Sequence, residues 1–165
     1  FRALTHRRVA EAAGVPLGTI TYYFTSRDHL VEATVGLILE QDRVRRAGVL
    51  ASGASVQAVA QALVELLLPE QAASSKEHAA VIYERLGEGL RDVTIRGLVD
   101  DDYADLEAHV ARLLACVPGA PDPGLVLALV EGRLLRWLAT DGDTAELDAL
   151  VAADMRSVTR IPKAN

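Results

Sequence analysis

Between Gly14 and Phe24 the chain reads GVPLGTITYYF, three consecutive aromatics beside two threonines, in a sequence that is only 4% aromatic. The hydroxyls of Thr19, Thr21, Tyr22 and Tyr23 can donate to phosphate oxygens or meet base edges, while the tyrosine rings and threonine methyls suit thymine methyl groups. Gly18 lets a backbone come close. A second cluster, Asp101-Asp102-Tyr103-Ala104-Asp105, spaces carboxylates by about one helical turn, as shared hard cations require. Catalytic patterns are otherwise absent: there is no Gly-x-Ser-x-Gly elbow and no phosphate-binding glycine loop, and His6, His29, His78 and His109 lack ligand spacing. The expectation is therefore a binding protein rather than an enzyme, with no metal and no cofactor.

These residues need elements to hold them. From Thr5, apolar Val9, Ala10 and Ala13 recur at helical spacing, and Gly14 can leave the helix with positive φ. Pro16 suits the first turn of a new helix running to Tyr22 or Tyr23, because it has no N–H to leave unpaired there. Ser26 followed by Asp28 predicts the cap of a long helix whose stripe is Leu30, Thr34, Leu37, Ile38 and Gln41, ending near Arg46. Arg43, Arg45 and Arg46 at its end read as surface decoration.

Further helices are predicted over Val56–Leu67 after a Ser55 cap, about 77–90, from an Asp92 cap to Val117, over Asp122–Ala139 and over Thr144–Arg160. The helix from Asp122 is apolar nearly all round and should be buried on more than one side. No strand or repeat is evident. The fold class is all-α.

Two short helices across a glycine turn followed by a longer one make a helix-turn-helix, whose second helix enters the major groove of DNA. In LTHRRVAEAAGVPLGTITYYFTSRDHLVEA, over about residues 4 to 34, the chain resembles the tetracycline-repressor (TetR) family of bacterial transcription regulators. The agreement lies in a hydroxyl-capped helix, an Ala-x-x-Ala-Gly-Val turn, a Gly-Thr-Ile-x-Tyr-x-Phe recognition helix and a basic residue before an apolar helix. Pro16-Leu17 and Tyr23 depart from the frequent Ser-Lys and His of the pattern, which bears on base preference.

The resemblance implies that Thr5 caps a helix and touches phosphate, that Arg7 reaches DNA, and that Thr19, Tyr22 and Arg27 hold phosphates. Leu17, Gly18, Thr21 and Tyr23 would face the groove, with Ile20 and Phe24 in the core. It also implies that the family's first helix precedes Phe1, so that the native protein is longer. Residues 1–46 would form the DNA-binding domain and residues 47–165 a ligand-binding and dimerisation bundle.

The last two helices would pair with their copies, Ala149, Ala152 and Ala153 providing a small flank for close approach. A homodimer would bind double-stranded DNA at an inverted repeat, and an effector would sit in the later helices with Tyr83, Tyr103, His109 and Trp137 as anchors by type. The function expected is that of a ligand-responsive regulator, most simply a repressor. The rival readings are a helical small-molecule or protein-binding module without DNA binding, and a magnesium enzyme using the DDxxD segment, as helical terpenoid synthases do. That segment reads instead as a solvated acidic helix face.

Composition sets the bounds. The 165 residues are 50% hydrophobic, enough for a real core, and the longest apolar runs fall short of the roughly 18 to 20 residues of a membrane helix. The single cysteine, Cys116, excludes a disulfide framework, fits a reducing cytoplasm and reads as a small core hydrophobe. The net charge of -6 is uneven: seven arginines meet five acids in the first 46 residues, and the remainder is acidic. Only the N-terminal segment could approach phosphate.

Overall fold

The computed structural model describes residues 1, 3–50, 55–68, 80, 83, 84, 87–140 and 143–159. All regular structure among them is helical: α1 His6–Ala13, α2 Leu17–Tyr23, α3 Arg27–Arg46, α4 Val56–Leu67, α5 Val93–Leu114, α6 Pro123–Leu138 and α7 Thr144–Thr159. The helix expected over about 77–90 lies largely outside the described residues, although Tyr83, Glu84 and Gly87 to Gly89 are helical.

Side-chain caps start these helices where the sequence put them. Thr5, Ser55 and Asp122 accept from Arg8 N, Ala58 N and Leu125 N. Ser26 accepts from His29 N at 3.1 Å, and Asp92 from Thr94 N at 2.8 Å. Asp143 does the same for Glu146 N, a cap that the expected start at Thr144 overlooked. Each such cap stabilises its helix by about 1 kcal/mol. Helix α5 ends at Leu114 rather than Val117, whose N–H closes a turn onto the Leu114 carbonyl.

The chain divides into two compact units, residues 1–43 with 83–102, and residues 44–82 with 103–165. In the first, α1 and α2 pack together, and α3 buries Leu30, Val31, Val35 and Leu39. Leu37 from the expected stripe is instead 61% exposed. The segment LVEATVGLILE is apolar on two faces, so periodicity alone does not select the buried one.

In the second unit α7 packs on α4 and α6. Leu63, Leu66, Leu134, Leu147 and Met155 are fully buried there, each side chain contributing roughly 1.5–3 kcal/mol by leaving water. Arg133 of α6 grips Asp154 of α7 through Nε and Nη2 at 2.6 and 2.8 Å, a bidentate, charge-assisted pair that fixes the two helices in register. That bond holds the guanidinium pKa above its usual value.

Arg45 and Arg46 are not surface decoration. The Arg45 guanidinium donates to the carbonyls of Glu65 and Leu66 at 2.7 and 2.9 Å, meeting groups that the end of α4 leaves open. Arg46 is 2% exposed and faces Asp105 at 3.8 Å. Arg43 does stay on the surface, paired with Glu40. The acidic segment is a solvated face only in part: Asp101 is exposed, whereas Asp102 is buried and Asp105 is half-buried beside Arg46. Among the described residues no group of His, Cys, Asp and Glu could hold a metal ion. Cys116 is exposed rather than a core hydrophobe, two residues past the end of α5, with its thiol donating to Leu113 O.

Candidate nucleic-acid interface

The turn between α1 and α2 depends on Gly14, which sits at φ 65. Gly14 N donates to Glu11 O and Val15 N to Ala10 O, closing α1 with the paired bonds of a Schellman motif. Pro16 then takes an extended conformation immediately before α2, so the helix begins at Leu17. His6 joins the two helices through a 2.7 Å contact between its Nε2 and Phe24 O. This is a positioning role the sequence reading missed, because neither spacing nor composition marks a histidine that bonds to a distant backbone carbonyl.

Helix α2 buries only Ile20, at 8% exposure. Phe24 is half-buried and its ring meets His29 edge on. Every other residue of the helix is exposed. Leu17 is 48%, Tyr23 65% and Tyr22 79% exposed, and the two tyrosine rings stand at 86° with centroids 5.2 Å apart. Thus Leu17, Gly18, Thr19, Thr21, Tyr22 and Tyr23 are all brought to the solvent side of one short helix.

Thr21 Oγ1 donates back to the carbonyls of Leu17 and Gly18 at 3.3 and 3.2 Å. Its proton is engaged in the helix, so its outward chemistry in this conformation is that of an acceptor and a methyl group. Thr5 uses its oxygen as the cap of α1, which leaves its hydroxyl proton to donate. Arg7 is exposed and held by Glu11 at 3.1 Å. Arg27 is exposed, donates to Phe1 O and lies 3.9 Å from Asp28. With Arg45 and Arg46 committed elsewhere, Arg7, Arg8 and Arg27 are the described cations exposed around this motif.

Tyr83 belongs to the first unit, and Tyr103, His109 and Trp137 to the second. Tyr103 donates its phenol to Glu131, whose carboxyl pKa is raised by burial despite that bond. Trp137 is 6% exposed within the core. His109 lines a cleft of about 480 Å³, together with Val49, Leu50, Arg112, Leu113 and Cys116. No described helix is long and apolar enough to cross a membrane.

Residues 1–34 match the bacterial regulatory proteins of the tetR family. No curated protein matches the chain, whereas four chains of solved structures do. One is the crystal structure of a candidate transcriptional regulator from Streptomyces coelicolor A3(2), 22% identical, with a TM-score of 0.69 over 98% of this chain and 89% of that one. At that identity the likeness carries the fold.

Proposed function

Because the chain carries the tetR-family DNA-binding helix-turn-helix, we propose that it is a cytoplasmic, ligand-responsive repressor that binds an inverted-repeat operator as a homodimer. The observation that carries the reading is α2, which buries one residue and exposes Leu17, Thr19, Thr21, Tyr22 and Tyr23. A short helix held only for its own packing would turn those rings inward. Residues 1–46 serve DNA binding in this reading, and residues 47–165 serve dimerisation and the effector.

Tyr22, Thr19, Thr5, Arg7 and Arg27 contact phosphates, while Leu17, Gly18, Thr21 and Tyr23 address the groove. Arg7 and Arg27 must leave their present carboxylate neighbours to do so, a small cost for pairs so exposed.

Dimerisation is supported by the last two helices. Leu125, Ala128, Gly132 and Leu135 of α6 form an exposed stripe, Leu125 and Leu135 being 47% and 54% exposed. On α7, Ala149, Leu150 and Ala153 are exposed, whereas Ala152, expected in the same flank, is buried within its own chain. Two such faces from two copies make a four-helix contact in which the small residues allow close approach. The effector acts by preferring one spacing of the two DNA-binding heads, so that it lowers DNA affinity reciprocally.

Footprinting of the full-length protein on its own promoter region, at two salt concentrations, tests the reading. A protected inverted repeat whose occupancy falls with salt is expected. A folded dimer that protects no sequence removes it and leaves a helical binding module.

A further inference from the structure

The cleft beside the end of α5 has a composition at odds with the rest of its unit. Val49, Leu50 and Leu113 supply apolar walls, and the polar lining consists of Arg112, His109 and the Cys116 thiol. Among the described residues no carboxylate lines it, although residues 47–165 are strongly acidic. Arg112 is exposed and forms no ion pair with any described residue.

His109 is only 9% exposed, and Nδ1 lies 3.3 Å from Asp105 O and 3.7 Å from its carboxylate. Asp105 is in turn faced by the buried Arg46. The imidazole is thereby fixed, and its Nε2 has no partner among the described residues. At about 480 Å³ the cleft falls within the range that small-molecule sites occupy. Apolar walls beside an exposed arginine without a described carboxylate partner favour a ligand with a hydrocarbon body and a single negative head.

We propose that this cleft binds a small apolar carboxylate, its head on Arg112 and its body against Val49, Leu50 and Leu113. The site rests on the ligand-responsive reading above and names the class of effector. Walls of this kind repel a cationic head through Arg112, and they give an uncharged head no counter-charge to meet.

Cys116 supplies the test, because it is the chain's sole cysteine and lies in the cleft. The rate of its alkylation by N-ethylmaleimide, an uncharged reagent, is followed by mass spectrometry with octanoate, octanol or octylamine present. Octanoate is expected to slow alkylation at least fivefold in a saturable way, and the other two less than twofold. Arg112→Gln should reduce octanoate protection to that of octanol. Leu50→Glu should also weaken it, by placing a carboxylate at a position already 80% exposed, where folding is not at risk. Protection that does not saturate, that octanol matches, or that survives in folded Arg112→Gln overturns the site.

Operator binding measured with the same octanoate separates the two readings. Protection of Cys116 with unchanged DNA affinity upholds the site and removes the ligand response. DNA binding without any protection upholds the DNA reading and removes the site.

Discussion

Tyr22 and Tyr23 hold their rings edge to face while remaining mostly in solvent. Their hydroxyls have no packing to lose, so their removal should separate binding from stability. Tyr22→Phe is expected to weaken DNA binding about tenfold, the worth of one hydrogen bond to a charged phosphate, with an unchanged melting temperature by circular dichroism. Glu131 behaves in the opposite way, through the fold. Burial raises its carboxyl pKa above the ordinary 4.5 and Tyr103 lowers it by less. Its contribution to stability is therefore fully present below the unfolded pKa and is lost as pH rises through the raised folded value. Glu131→Gln, which keeps an oxygen for the Tyr103 hydroxyl, should gain urea midpoint relative to the native protein between pH 4 and pH 8. A difference between the two midpoints that stays flat with pH would contradict this.

At the level of elements, the turn after α1 is set by backbone geometry alone. A Cβ built on Gly14 meets nothing within 4 Å, yet φ is 65. Gly14→Ala should therefore cost about 1–2 kcal/mol through the left-handed conformation, read as a lower denaturation midpoint of the first unit. Helix starts were legible because a cap is a local event, a side-chain oxygen within three residues of the N–H it receives. The face of α3 was not, because both of its sides are apolar and only packing distinguishes Val35, fully buried, from Leu37. Arg45 and Arg46 were misread for a related reason. Their partners, the Glu65 and Leu66 carbonyls and Asp105, are far away in sequence, and nothing local marks an arginine that closes another helix. Arg45→Met should leave those carbonyls poorly met and cost about 1–3 kcal/mol, whereas Arg43→Met, in an exposed pair, should change stability by about 0.5 kcal/mol at most.

For the molecule as a whole, the helix-turn-helix was legible because the glycine turn and the residue spacing in GVPLGTITYYF mark it, and α2 does expose all but Ile20. Tyr83, Tyr103, His109 and Trp137 were chosen by type, and type does not say which residues share a cavity, so the cleft proposed around Arg112 was not legible in the sequence. The proposed dimer belongs to this scale too. Leu135→Glu puts a charge at the C-terminal end of the exposed α6 stripe without entering the core, and sedimentation should show a monomer that retains its helical content. A dimer of undiminished stability would remove the proposed interface. The most direct test of DNA recognition is equilibrium binding of the full-length protein to its promoter DNA, compared with a Tyr22→Phe, Tyr23→Phe double variant of equal stability. A loss of tenfold or more, with a salt slope that shows phosphate contacts in the native protein, is the predicted result. Equal affinity for the two proteins would contradict the assignment of α2 as the helix that reads DNA.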